Sequence, residues 1–180
     1  LDVDAPWFPI SAHALAFNLK PVFRALNFPA REPRRWIEKI GDSDEQTEPA
    51  DEARLLRMQS NRLLSASRDG DDLTLTLWRV STGGEITRLA DSGDQVGQAL
   101  LVDLAKVDEE RFISAVRAAN GTLKLILWSV AADQVIRLSD SGGQAGSTAA
   151  FAVTRVSDDT VATAVRTASG HLEVISWQVS

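Results

Sequence analysis

Three stretches of the sequence, each an arginine followed by a turn and a strand that ends on tryptophan, decide the fold: RDGDDLTLTLW at 68–78, RAANGTLKLILW at 117–128 and RTASGHLEVISW at 166–177. Their first residues, Arg68, Arg117 and Arg166, stand 49 residues apart. The preceding strand recurs too, as RLLSA at 62–66, RFISA at 111–115 and TVATA at 160–164. A second block recurs at the same spacing, as RLADSGDQVG at 88–97 and RLSDSGGQAG at 137–146. We therefore expect an internal repeat from Arg62 to Ser180.

Each repeat predicts four short antiparallel strands. In the first unit, Leu73, Leu75 and Leu77 alternate with other residues, which is the period-two pattern of a strand with two different faces. Clusters of Gly, Asp and Ser separate this strand from its neighbours. The predicted strands of the first unit lie at 63–68, 73–80, 86–90 and 99–107. The units span 62–110, 111–159 and, as a partial copy, 160–180.

Four antiparallel strands in about 45–50 residues are typical of one blade of a β-propeller. We therefore expect an all-β fold with about two and a half such blades in this chain. Propellers usually have about four to eight blades, so other chains or segments would complete the ring. A β-trefoil is the alternative, and it would need two further strands from the segment that precedes the repeats.

The first third of the chain lacks the repeat. Residues 1–40 are rich in proline and aromatic side chains, and they predict an arm with short helices that open at Pro21 and Pro33. An alternating pattern at His13–Leu19 permits a strand. Acidic residues crowd the region 41–57, which predicts an exposed linker before repeats at 58–180.

Composition excludes several classes of function. A net charge of −6 argues against a nucleic-acid partner, and the chain has no apolar run of the length that a membrane-spanning helix needs. Without cysteine there is neither a disulfide nor a thiolate metal site. With two histidines and no familiar catalytic or cofactor motif, we expect no catalytic residue, no metal and no cofactor. The chain begins at Leu1 rather than Met, from which we expect processing and a secreted or periplasmic location, with a cytoplasmic one left open.

The residues that recur with the repeat are the candidates for ligand binding. An arginine guanidinium binds carboxylates or sugar hydroxyls in a fixed geometry, although an interstrand ion pair or hydrogen bond that recurs with the blade, for instance with Asp91 and Asp140, is the favoured explanation of the arginines. Turn geometry does not explain a repeated glutamine. Tryptophan rings stack on ligands, but the apolar strands around them favour core packing. The predicted ligand-binding residues are Arg68, Arg117, Arg166, Gln95, Gln144, Trp78, Trp128 and Trp177.

In period and pattern, the region Arg62 to Ser180 resembles bacterial β-propeller repeat proteins with blades of about 49 residues, a group that includes lectins. The resemblance implies ligand binding in the clefts between blades and supplies no catalytic residue. We therefore expect a noncatalytic module that recognises glycan or protein or takes part in assembly. The alternative is a subunit or processed chain of a multi-chain enzyme, such as a hydrolase, whose catalytic residues lie largely on another chain.

The last predicted strand has consequences for partners. A half blade would leave the strand after Leu172 with an unpaired edge, and native proteins cover, pair or charge such edges. We therefore expect another protein chain, or the N-terminal arm, to pair with this strand.

Overall fold

The computed structural model describes residues 38–44, 49–93 and 98–180. These residues contain eleven β-strands and no α-helix. None of these residues belongs to a helix with the length and apolar character needed to cross a membrane. The strands are β1 (Glu52–Arg57), β2 (Arg62–Asp69), β3 (Asp72–Val80), β4 (Ile86–Asp91), β5 (Ala99–Lys106), β6 (Arg111–Ala118), β7 (Leu123–Ala131), β8 (Gln134–Asp140), β9 (Thr148–Arg155), β10 (Thr160–Thr167) and β11 (Leu172–Gln178).

The strands form three antiparallel sheets in chain order. The first sheet has the order β1-β2-β3-β4, the second β5-β6-β7-β8, and the third holds β9, β10 and β11 with β10 in the middle. Short turns join neighbouring strands, as at the two-residue turn of Gly70 and Asp71 between β2 and β3. The prediction of an all-β, antiparallel fold is confirmed.

The second and third strands of each sheet, counted along the chain, pair in the same register. Ala66 faces Leu75 in the first sheet, Ala115 faces Leu125 in the second, and Ala164 faces Val174 in the third. In the first two sheets the pairing of the third and fourth strands also slips by one residue next to the tryptophan, between Leu77 and Trp78 and between Leu127 and Trp128.

Face-to-face packing of successive sheets produces two apolar cores. The alternation of β3 directs Leu75 and Leu77 into a core that they share with Phe112 and Trp128 of the second sheet. The other face of the second sheet contributes Leu123, Leu125 and Leu127 to a core shared with Val161 and Val165 of the third sheet. The first strands, β1, β5 and β9, run side by side along the stack.

The sheets begin one strand earlier than the sequence pattern predicts. The run 99–107, predicted to close the first unit, begins the second sheet as β5, and β1 lies at Glu52–Arg57 inside the predicted linker. Strand β1 forms because its backbone pairs with β2 and Leu56 packs on the first core, while Glu52 and Arg54, which alternate onto the same face as Leu56, pair with one another. The described residues therefore form eleven strands where the repeat predicts ten, and they supply no fourth strand to the third sheet.

The predictions for the N-terminal arm fall mostly outside the described residues. The strand at His13–Leu19 and the helix opening at Pro21 lie there entirely. The helix predicted to open at Pro33 was expected to run to Ile40, but residues 38–40 are neither helix nor strand.

Candidate functional site

One end of the sheets, which we call the hairpin rim, carries most of the predicted site residues. It consists of the hairpins at 68–72, 117–122 and 166–171 and of the loop 141–147 that follows β8. The loops after β4 and β8 lie at the same end because Gln98 bridges to Asp72 and Ser147 bridges to Thr122. The structure thus brings the three repeated arginines to one end of the stack.

Arg68 is the most firmly held of the three arginines. Its guanidinium donates to the carbonyl of Gly70 and lies 3.6 Å from an Asp51 carboxylate oxygen and 3.7 Å from one of Glu52. The Asp51 carboxylate also accepts the backbone N–H of Gly70, at 3.2 Å. Arg68 therefore anchors the start of β1 to the first hairpin, and its charge is already balanced.

Arg117 and Arg166 have different surroundings, although they occupy the same position in the repeat. The Nε of Arg117, like that of Arg68, is buried and has no hydrogen-bond partner within the described residues, and no acidic side chain forms an ion pair with Arg117 there. Arg166 is exposed to solvent. The side chains at this repeated position thus range from paired to solvent-exposed, and Arg166 is the one most accessible to a ligand.

The ion pairs predicted for Asp91 and Asp140 have other partners. Asp91 pairs with Arg88 at 2.6 Å, and Asp140 pairs with Arg137. Both arginines lie three residues before the aspartate on the same strand. The interpretation that these aspartates neutralise Arg68 and Arg117 is wrong.

Of the two predicted glutamines, Gln144 lies within the described residues. Gln144 is exposed on the loop after β8, as a ligand contact would require. Gln95 lies outside the described residues.

The tryptophans lie far from the rim. Trp128 is completely buried, stacks on Phe112 with ring centroids 6.2 Å apart, and donates its Nε1–H to Ser114 at 2.9 Å. Trp78 is buried as well, and Trp177 is half-buried. Trp78 lies five residues along β3 from Leu73, the partner of Arg68, which is about 16 Å along the strand. Core packing is confirmed for Trp78 and Trp128.

Trp177 borders a small cavity between the second and third sheets. The cavity has a volume of about 130 Å³, with Leu127 and Trp177 on its apolar side and Asp140 and Ser141 on its polar side. The backbone N–H of Gly142 and the Arg137 guanidinium hold the pKa of the Asp140 carboxyl below its usual range. Ligand pockets usually measure about 300–1,000 Å³, so this cleft accommodates a single small group.

A second cavity, of about 280 Å³, lies where the first strands meet. Leu56, Leu104 and Val153 line it, together with the stems of Lys106 and Arg155. Both cations have acidic partners, Glu109 for Lys106 and Asp158 for Arg155. This cavity is therefore a largely apolar space with little free charge.

Asp103 joins the first strands, a role that the sequence pattern did not indicate. One carboxylate oxygen accepts the backbone N–H of Val153 at 2.8 Å, and the other lies 4.0 Å from Nε of Arg54. Asp103 therefore connects β5 to both β9 and β1. Its position inside the largely apolar run ALLVDLAKV at 99–107 was the only available signal.

Within the described residues, the outer face of the third sheet is apolar and has no other sheet packed on it. Leu172 and Val174 are 75% and 69% exposed. The residues at the matching positions, Leu73 and Leu75 in the first sheet, are 3% and 0% exposed because the second sheet covers them. In the described part of the chain, the third sheet therefore has an apolar face of the kind that the next sheet covers in the first sheet.

No group of three or more metal-ligating side chains occurs in the described part of the chain. Comparison with models of known protein families and with curated proteins gave no match to this chain.

Proposed function

We propose that this chain is a noncatalytic binding and assembly module built from β-propeller-type blades, and that its principal ligand is another folded protein chain. Three features support the blade interpretation: the four-stranded sheets, their face-to-face stacking, and the adjacent first strands. Stacking of whole sheets favours this type over a trefoil.

The uncovered third sheet carries the proposal. Leu172 and Val174 would remain in water, at a cost of roughly 25 cal/mol per Å² of apolar surface, unless another sheet covers them. Among the strands of the described residues, the adjacent β11 pairs with β10 on one side and has no partner on the other. An apolar face beside a free strand edge is the combination that proteins cover in their native assemblies.

Native mass spectrometry and light scattering test the proposal. We expect the protein to form particles heavier than the 19.5 kDa chain, with a fraction that rises with protein concentration. The variant Val174→Arg should reduce that fraction, because it places a charge on the packing face. The matched control is Leu138→Arg, since Leu138 is another exposed apolar residue but belongs to the outer strand of the second sheet. A protein that stays monomeric, without any binding partner, at every concentration contradicts the proposal.

Glycan recognition at the hairpin rim is a separate branch of the same proposal. Its support is the placement of exposed Arg166 and Gln144 at one end of the sheets. A glycan array followed by calorimetric titration tests it. Binding that is lost in Arg166→Ala supports the rim, whereas silence in both experiments removes the carbohydrate branch.

A further inference from the structure

A segment before the first sheet repeats the end of the fourth strands. Lys39-Ile40-Gly41-Asp42-Ser43-Asp44 stands 49 residues before Arg88-Leu89-Ala90-Asp91-Ser92-Gly93, which stands 49 residues before Arg137-Leu138-Ser139-Asp140-Ser141-Gly142. Each copy has a basic residue, an aliphatic residue, a small residue, Asp and Ser in that order. The repeat spacing therefore extends back to Lys39, and we call residues 39–44 the N-terminal turn segment.

The three copies also share their internal contacts. In each, the basic residue pairs with the aspartate three residues later, as Lys39 does with Asp42. The same aspartate accepts the backbone N–H two residues on, at 3.1 Å for Asp44, 2.9 Å for Gly93 and 2.8 Å for Gly142. The serine hydroxyl donates to the next carbonyl in every copy.

The backbone conformation of the three copies agrees as well. Asp44, Gly93 and Gly142 have φ angles of 49°, 54° and 62°. This left-handed conformation is costly for most side chains, and aspartate is one of the residues that tolerate it. The N-terminal turn segment therefore has the conformation of a fourth strand's end, although it belongs to none of the three sheets.

In the complete sheets, this turn is fastened to the third strand. Ser92 donates its backbone N–H to the carbonyl of Leu75 at 2.8 Å, and its hydroxyl accepts the N–H of Leu75 at 3.0 Å. Ser141 makes the same two bonds with Leu125, at 2.9 and 3.0 Å. Ser43 has no such strand partner in the part of the chain that the structure describes.

The strand that lacks this partner is β11. Val174 faces Ala164 in the register in which Leu75 faces Ala66, so its backbone N–H and C=O point to the free edge. The turn segment thus has the serine, and the free edge of β11 has the backbone groups, that are hydrogen-bonded to each other in the two complete sheets.

These halves lie at opposite ends of the stack. Gly41 lies against the turn before β4, so close that an added Cβ would be 2.0 Å from the Gly84 carbonyl oxygen. The first sheet packs on the second, and the second packs on the third, which contains β11. A turn segment held beside the first sheet is therefore placed to meet the third sheet of a neighbouring molecule.

We infer that the N-terminal turn segment of one chain pairs with β11 of a second copy and completes its third sheet, an inference that rests on the assembly role proposed above. The register of the complete sheets assigns Ser43 to Val174, Asp42 to Ile175, Gly41 to Ser176 and Lys39 to Trp177. The first sheet of the second copy then covers the face of Leu172 and Val174. Two such contacts would close a ring of six sheets, within the about four to eight blades usual for propellers.

Engineered disulfides test this register, because the chain has no cysteine of its own. One variant carries Ser43→Cys and another carries Val174→Cys, and the two are mixed under mild oxidation. We expect a cross-linked species of twice the 19.5 kDa chain mass. The matched control replaces Val174→Cys with Gln178→Cys, which is exposed and four residues, or about 13 Å, further along β11. A disulfide requires Cα atoms within about 7 Å, so the control pair should give at least tenfold less cross-link.

The outcomes separate the inference from the proposed function. Particles heavier than one chain that give no preferential Ser43–Val174 cross-link overturn the inference and leave the assembly role standing. A monomer at every concentration overturns both. The variant that carries both cysteines in one chain adds a third outcome: an intrachain disulfide in a monomer overturns the second copy as the partner. Circular dichroism of each reduced variant establishes that the sheets are intact.

Discussion

At the scale of single residues, the tryptophans of the second and third sheets occupy the same repeated position but differ in burial, and we expect them to contribute differently to stability. The indole Nε1–H of Trp128 donates to Ser114, and that of Trp177 donates to Thr163, both at 2.9 Å. Trp128 is fully buried between two sheets, whereas Trp177 is half-buried beside the cleft. We expect Trp128→Phe to lower the free energy of unfolding by about 2–3 kcal/mol, because it removes apolar contact and leaves the Ser114 hydroxyl without its partner.

Trp177→Phe is the matched comparison, with an expected loss of about 1 kcal/mol, because water can reach the vacated position. Urea denaturation monitored by far-ultraviolet circular dichroism measures both variants. Equal losses would mean that the cleft at Trp177 is closed in solution.

The Asp140 carboxyl should make the stability of the fold depend on pH. The Gly142 backbone N–H, chiefly, and the Arg137 side chain hold its folded pKa below the usual value, with Lys124 contributing through its charge, and partial burial opposes them. A carboxyl whose pKa is depressed in the folded state stabilises the fold above its unfolded pKa of about 3.9, and this contribution is lost as pH falls through the folded value. We expect Asp140→Asn to be less stable than the wild-type protein by about 0.5 kcal/mol at neutral pH.

The difference should shrink as pH falls through the depressed folded pKa of Asp140 and vanish below it, where both side chains are neutral. Denaturation midpoints between neutral and acid pH measure it. A difference that stays constant over this range would show that Asp140 acts through packing, because a packing effect does not titrate.

At the scale of elements, β1 shows which part of the fold is hidden from the sequence. Its residues, EARLLR, lack the alternation that marks β3, and their acidic surroundings look like those of a linker. The strand forms through pairing with β2 and through Leu56, which packs on the first core while partly exposed. We expect Leu56→Ala to cost about 1–2 kcal/mol and Leu64→Ala, at a fully buried position of β2, about 3–4 kcal/mol.

Both variants are measured by urea denaturation. If Leu56→Ala had no effect, β1 would be dispensable, and the linker prediction for 41–57 would regain support.

The repeat made most strands predictable, and the exceptions have a common cause. Leu73, Leu75 and Leu77 show their two-faced pattern because both neighbouring strands and the next sheet lie beside them. The sequence repeat does not reveal which strand begins a sheet, because the 49-residue spacing is the same whichever strand is counted first. The grouping of strands depends on the chain leaving the first sheet after β4 and beginning the second with β5. The environments of Arg68, Arg117 and Arg166 were likewise beyond prediction, because Asp51 and Glu52 reach Arg68 from a strand that the pattern did not reveal.

At the scale of the whole molecule, the sheets form an open stack with unlike ends. The first sheet has the N-terminal turn segment beside it, and the third sheet has an apolar face and a free strand edge. Unlike ends of this kind favour a head-to-tail contact, which closes into a ring if the rotation per copy allows it and extends into a filament if it does not.

The net charge of the chain determines how the association of copies depends on ionic strength. Each chain carries a net charge of −6, so two copies repel one another at low salt, while the contact at Leu172 and Val174 is apolar. Salt at about 0.5 M shortens the Debye length from about 14 Å at 0.05 M to about 4 Å and removes most of the repulsion between exposed charges. We expect the associated fraction to rise several-fold over this range when it is measured by sedimentation velocity at fixed protein concentration. The Val174→Arg variant should show a much smaller rise, because salt cannot restore the apolar contact it has lost. A fraction that falls with salt in the wild-type protein would place ion pairs at the centre of the contact, and the third sheet's apolar face would then lie outside it.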